Sequence, residues 1–147
     1  MSNLHAPLIA AAALATTATP ARATDQHITP QEAVTTYCAA WSTTDRTTRD
    51  QMLERVWAKD GIYTDAEPTY AVGRTALSDT IAKFQQDYPG NTFRCSTPQM
   101  HHNFMRVTWF RLSSDGKQLG EGVDIYDMAP DGRISRIVGF FGPAPAP

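Results

Sequence analysis

A carboxylate set in the middle of an apolar strand is the first residue in this sequence that needs a chemical explanation. Gly122-Val123-Asp124-Ile125-Tyr126-Asp127-Met128 reads as a strand, and Pro130-Asp131-Gly132 as the turn that follows it. Alternation puts Asp124 and Asp127 on opposite faces, so one of them faces inward and the other solvent. A carboxyl held in a low-dielectric pocket keeps its proton to higher pH, and can then give a proton as well as take one. A second carboxylate, Asp65, shares a strand face with Tyr63 in the short run Ile62 to Asp65. His101-His102 precedes a later strand. Adjacent strand residues point to opposite faces, which argues against one shared metal ion but leaves a histidine available as an acid or base near neutrality. Neither a metal nor a cofactor is expected.

Three helices would have to position these groups. Thr29-Pro30-Gln31-Glu32 supplies an N-cap, a proline at the first helical position and a capping-box glutamate, and Val34, Tyr37, Cys38 and Trp41 then follow one helical stripe. Tyr37 and Trp41 therefore face inward, one turn apart. Ser42 to Asp45 breaks that helix and starts a second, with Met52, Leu53, Val56 and Trp57 on its inner face and Asp60-Gly61 as its stop. After short strands Ile62 to Asp65 and Tyr70 to Val72, a third helix follows Gly73-Arg74, carries Leu77, Ile81, Phe84 and Tyr88, and stops at Pro89-Gly90. Strands rich in Thr, Phe, Val and Trp take the rest: Phe93 to Cys95, Asn103 to Leu112, Leu119 to Met128 and Ile134 to Phe141. Ser114-Asp115-Gly116 and Pro130-Asp131-Gly132 turn the last three into a meander.

This order predicts an α+β fold, a cone-shaped curved antiparallel sheet with three N-terminal helices enclosing a pocket. With 147 residues, 41% hydrophobic and 19% charged, the chain suffices for one domain, placed at 24–143 with a frayed tail at 144–147. A formal net charge of -2 offers no basic surplus for nucleic acid. Residues 1–23 read as a signal peptide, from the apolar run Pro7 to Ala15 and the Ala21-Arg22-Ala23 cleavage pattern, although the n-region has no Lys or Arg. The run is too short to span a membrane, so the expected location is secreted or periplasmic. There Cys38 and Cys95 could persist as a bridge, or stay separate as buried thiols.

From Thr29 to Phe141 the chain resembles the nuclear transport factor 2-like (NTF2-like) superfamily, with its cystatin-like roll, in the SnoaL-like and ketosteroid-isomerase-like branches. The resemblance is carried by the helix with Tyr37 and Trp41, by Ala58-Lys59-Asp60-Gly61-Ile62-Tyr63-Thr64-Asp65, by Gly73-Arg74, and by Asp131-Gly132-Arg133-Ile134 with Gly139-Phe140-Phe141. It implies a catalytic set of Tyr37 as donor to a substrate oxygen, Asp65 as general base, and Asp124 as second hydrogen-bond donor. The worked case of that isomerase chemistry keeps one aspartic acid protonated in an apolar site so that it can donate. Asp124 also resembles the acid/base aspartate of SnoaL-type polyketide cyclases. The chain departs from the isomerases in having Ala66 after Asp65 and glycines at 120 and 122, which either make room for a ligand or mark a bulge.

The residue types support the same chemistry on their own terms, because moving a proton next to a carbonyl requires a base and donors where charge develops on oxygen. Bland roles stand beside these. Tyr37 could be a core tyrosine, and Asp65 could cap a turn or pair with Arg74. The expected ligand wall is Trp41, Trp57, Tyr63, Asn103, Met105, Trp109 and Phe141. On the strand Asn103 to Leu112, the face of Asn103, Met105, Val107 and Trp109 is expected to line the pocket. The face of Phe104, Arg106, Thr108 and Phe110 is expected to meet a second copy in a homodimer, as the superfamily commonly does. The functional expectation is a small-molecule pocket protein acting on a small apolar carbonyl compound as an isomerase or cyclase. The alternatives are a non-catalytic binder or an accessory interaction domain.

Overall fold

The computed structural model describes residues 27–67, 69–143 and 145–146. The expected signal peptide, 1–23, lies outside these, as do residues 144 and 147 of the expected tail. Helix α1 (Pro30–Trp41) begins at Thr29, whose side chain accepts from the Glu32 backbone N–H at 3.2 Å. Glu32 does not return to the cap. Its carboxylate is taken by Arg55 of helix α2 (Arg46–Val56). Helix α2 is capped by Asp45, which accepts from the Thr48 N–H at 2.8 Å.

Trp57 is not part of the second helix. It opens strand β1 (Trp57–Thr64), and Asp60-Gly61 lies within that strand rather than ending a helix. A side chain at 61 would sit 2.5 Å from the Trp57 indole nitrogen, so glycine here makes room for the ring. The pairing of β1 shifts register between Trp57 and Ile62, which marks a bulge. Strand β2 (Tyr70–Val72), helix α3 (Gly73–Asp87), and strands β3 (Thr92–Cys95), β4 (Gln99–His101), β5 (Phe104–Leu112), β6 (Gln118–Met128) and β7 (Ile134–Phe141) follow.

The seven strands form one sheet in the order β2-β1-β7-β6-β5-β3, with β4 added along β5. Its pairings are antiparallel except β1 with β7, where the first strand returns beside the last. The three helices cover one face. Val34, Leu53, Leu77, Ile81, Met105 and Ile137 are fully shielded between helices and sheet. The helices are also tied by a buried guanidinium: Arg49 donates to Ser78 Oγ at 3.0 Å and to the carbonyls of Thr43 and Thr44. All of these partners are needed, because a buried charge without hydrogen bonds is costly.

The β6/β7 turn closes through Gly132, whose φ of 83° favours glycine and whose missing Cβ lets the Ile28 carbonyl approach. On the sheet face away from the helices, Val123, Ile125, Val138 and Phe140 sit beside Thr108 and Arg106. Phe104 on this face is 38% exposed and Phe140 56%.

Candidate functional site

Helices α1 and α3, strands β1, β3, β5 and β6 and the end of β7 surround a cavity of about 940 Å³. Its deep end holds Tyr37, Tyr63, Asp65, Trp109 and Asp124. Its wall is Trp41, Phe84 and Phe93 with Cys38 and Cys95, and its rim includes exposed Glu67, Lys83, Asp87, Tyr88 and Phe141 with half-buried Arg111 and Glu121. The two cysteines are bridged, with Cα atoms 6.2 Å apart, so the open question about them is resolved for the disulfide. It fastens α1, one residue beyond Tyr37, to β3.

Asp124 is the inward residue of its strand. It is 6% exposed and lines the cavity, whereas Asp127 pairs with Arg136 on the opposite face. The Trp109 indole Nε1 donates to Asp124 Oδ1 at 2.9 Å. Two glycines make this contact possible. Gly122 pairs with Trp109 across the β5/β6 ladder, and a Cβ at 122 would stand 2.2 Å from the indole ring. Gly139 pairs with Asp124 on β7, and its Cβ position lies 3.0 Å from Asp124 Oδ1 and 3.3 Å from Asp65 Cβ. The two carboxylic residues therefore converge over a residue without a side chain. Gly120 differs, having nothing within 4 Å of its Cβ position, and it widens the cavity.

Burial pushes the Asp124 carboxyl up to about 7; the Trp109 hydrogen bond opposes the shift and the Asp65 charge adds to it. Asp65 is not paired with Arg74, which donates to the Trp57 carbonyl at 2.9 Å. Its Oδ2 accepts from the Tyr63 hydroxyl at 2.9 Å, while its Oδ1 is buried without a partner. The Tyr37 hydroxyl is also buried and unpartnered. Burial and then the Asp124 charge raise its pKa well above the phenol range; the nearby Trp41 indole opposes the shift and the Asp65 charge adds to it. A phenol donor, a carboxylate acceptor and a carboxyl that titrates near neutrality thus line one cavity. Buried polar atoms without partners are uncommon in folded proteins, and those of Tyr37 and Asp65 lie where a ligand in the cavity would complete them.

Among the expected wall residues, Trp41, Tyr63, Trp109 and Phe141 line the cavity. Trp57, Asn103 and Met105 do not. Trp57 is fully buried and stacked on Tyr37 with ring centroids 5.7 Å apart, which makes it support for a site residue. Met105 points inward as alternation requires, but into the packed core, and Asn103 lies in the exposed β4/β5 turn. The two histidines are exposed and outside the cavity. Strand alternation does not separate them, because His102 takes a φ of 52° in the turn and the two Nδ1 atoms come within 3.4 Å.

Phe84, Phe93 and Arg111 line the cavity without having been expected there, and two supporting residues outside its lining were also missed. Tyr126 is fully buried, meets the Tyr37 ring edge-on at 5.7 Å and carries another unpartnered hydroxyl. Its signal was its place two residues after Asp124 on the same strand face. Gly139 was legible only as part of a family pattern, since its use depends on two carboxylates that approach it from different strands.

No family model matches the sequence, and no characterised protein matches it closely enough to be informative. Solved structures do. A candidate isomerase of the SnoaL-like family from Agrobacterium tumefaciens is 31% identical, superimposes with a TM-score of 0.70, and is covered over 95% of its length by 76% of this chain. A protein with a ketosteroid isomerase-like fold from Catenulispora acidiphila, solved with trimethylamine, is 16% identical, with a TM-score of 0.63 over 78% of this chain and 88% of that one. A candidate polyketide cyclase from Sinorhizobium meliloti is 15% identical, with a TM-score of 0.58 over 74% and 93%. The last two support the fold alone. With the helices, the mixed curved sheet and the cavity in this arrangement, the chain belongs to the SnoaL-like family of the NTF2-like superfamily.

Proposed function

We propose that the cavity binds a small apolar carbonyl compound and catalyses proton transfer on it, as a cofactor-independent isomerase or cyclase. One observation carries this reading: Tyr37 Oη and Asp65 Oδ1, both without partners, share a cavity with Asp124, whose carboxyl titrates near neutrality. Asp65, held on one oxygen by Tyr63, takes the proton from the carbon beside the carbonyl. The C–H electron pair becomes the enolate double bond and the negative charge moves to oxygen. Protonated Asp124 and Tyr37 donate to that oxygen; in an isomerisation Asp65 returns the proton to another carbon, and in a cyclisation the enolate carbon bonds to a second carbonyl carbon of the same ligand, whose π pair moves to its oxygen and takes the proton from Asp65. Trp109 orients Asp124. The Agrobacterium relative's description as a candidate isomerase agrees with this chemistry.

The test is deuterium exchange at the acidic carbon of 2-tetralone in deuterium oxide. The protein should accelerate it, and Asp65→Asn should not. If the wild-type protein leaves the exchange rate unchanged, the enzymatic reading is wrong and non-catalytic binding replaces it. An open cavity of this size speaks against a purely accessory domain with a filled cone.

The disulfide supports an oxidising compartment, secreted or periplasmic. The exposed apolar side chains of the outer sheet face support a homodimer formed through it. Light scattering that returns a monomer mass would remove that part of the proposal.

A further inference from the structure

Of the charged groups at the cavity rim, Lys83 is neutralised by Asp87, with Nζ 2.8 Å from Oδ2. Arg111 has no carboxylate within ion-pair distance among the described residues. Its guanidinium instead lies 4.9 Å from the centre of the Tyr88 ring, another rim residue, which holds the cation in place while leaving its N–H groups uncommitted. Among the described residues Arg94 is likewise without a carboxylate and lies over the Phe110 ring at 5.1 Å, but it does not line the cavity; four other arginines show what a structural role looks like here. Arg49 is satisfied by three oxygens, and Arg46, Arg55 and Arg136 each meet a carboxylate.

Space is provided beside Arg111. Its partner across the β5/β6 ladder is Gly120, with nothing within 4 Å of the position a Cβ would take. Neighbouring Glu121 also lines the cavity, but alternation turns its side chain away from Gly120 and Arg111, and its carboxylate accepts from Gln118 Nε2 at 3.0 Å. The remaining rim acid, Glu67, follows β1, three strands from β5 in the sheet, and makes no ion pair with Arg111. Along β5, Arg111 stands four residues from Val107, the partner of Asp124, a separation of about 13 Å.

We propose that Arg111 is the receptor for a carboxylate on the ligand, so that the cavity takes a carbonyl compound with an apolar body and an anionic group at the end remote from the reacting carbon. Only the reacting end rests on the proton-transfer reading above. A planar guanidinium stacked on an aromatic ring is suited to bidentate carboxylate binding. The separation of about 13 Å between the Asp124 and Arg111 positions, less the reach of the arginine side chain, corresponds to a fused two-ring body.

The test measures calorimetric binding of two probes, 2-naphthol and 6-hydroxy-2-naphthoate, to the wild-type protein and to Arg111→Gln. The hydroxyl common to both mimics an enol at the Asp124 end. The carboxylate probe should bind wild type more tightly by about tenfold, and Arg111→Gln should remove that advantage while leaving 2-naphthol affinity unchanged. An unchanged carboxylate affinity in Arg111→Gln, or an equal loss for both probes, overturns the proposal. If 2-naphthol binds and its carboxylate analogue binds no better, the Arg111 assignment fails alone. If only the carboxylate probe binds, and does so through Arg111, the assignment stands and the reacting-end reading fails. Binding of neither overturns both.

Discussion

The Trp109 indole reaches Asp124 only because Gly122 leaves the space between them empty: Trp109 Nε1 donates to Asp124 Oδ1 at 2.9 Å, and any Cβ at 122 would overlap the ring. This hydrogen bond favours the ionised carboxylate and works against burial, which favours the protonated acid. The two effects together leave Asp124 near pH 7, where a carboxyl is most useful as a proton donor in neutral solution.

Trp109→Phe removes the opposing hydrogen bond and should therefore raise the Asp124 pKa further, by about one unit. Since the protonated form is the donor, exchange activity should fall as pH rises through the Asp124 pKa, and this alkaline limb should move upward in the variant. A pH profile of 2-tetralone exchange reads the shift directly. A limb that stays in place would separate the titration from Asp124.

Asp124 also ties stability to pH. Its folded pKa is raised, so between the ordinary carboxylate range and about pH 7 the folded state holds a proton that the unfolded state has released. Stability from this group is full in acid and lost as pH rises through 7. Asp124→Asn should match the wild type near pH 4 and exceed it above pH 8 by on the order of 4 kcal/mol. Urea denaturation at the two pH values measures the difference, and equal stability at pH 8 would contradict the buried ionisation.

Tyr37→Phe deletes an uncommitted donor without opening a cavity. Exchange turnover should drop by about 10²-fold, while thermal stability stays level or rises slightly because a buried unpaired hydroxyl is gone. Loss of stability with unaltered turnover would return Tyr37 to a packing role.

Gly139→Ala tests the shared space beneath the carboxylates. The added methyl would lie 3.0 Å from Asp124 Oδ1 and 3.3 Å from Asp65 Cβ, forcing one of them to shift. Overpacking of this kind costs about 1–3 kcal/mol, and turnover should fall more steeply than stability does. Guanidinium titration alongside exchange kinetics distinguishes the two effects.

Removing the disulfide as Cys38→Ala/Cys95→Ala should cost about 4 kcal/mol, the loop-closure value for a separation of 57 residues. Denaturant midpoints with and without the bridge provide the measurement.

What could be read from the sequence were features set by local periodicity. The α1 stripe placed Tyr37 and Trp41 inward, and alternation in β6 narrowed the buried carboxylate to Asp124 or Asp127. What stayed hidden was set by contacts between distant residues. Met52, Leu53, Val56 and Trp57 fit one helical face well, and only the meeting of Trp57 with Gly61 and Tyr37 shows that the last of them has entered a strand. Met105 and Trp109 share a strand face, yet one is core and the other cavity wall, because the cavity closes along β5 before it reaches Met105. Trp109 was read as a ligand contact, and its bond to Asp124 depends on a glycine on a neighbouring strand.

Gly139 divides the molecule into parts with different freedom to vary. Below the cavity, the proposed chemistry rests on an absent side chain, and every substitution there intrudes on both acids at once. At the rim, positions 83, 87, 88 and 111 carry long side chains that a ligand meets on entry. Descendants of this sequence can therefore change what they admit without changing what they do to it, and diversification of substrate range should be concentrated at the entrance while the floor stays fixed.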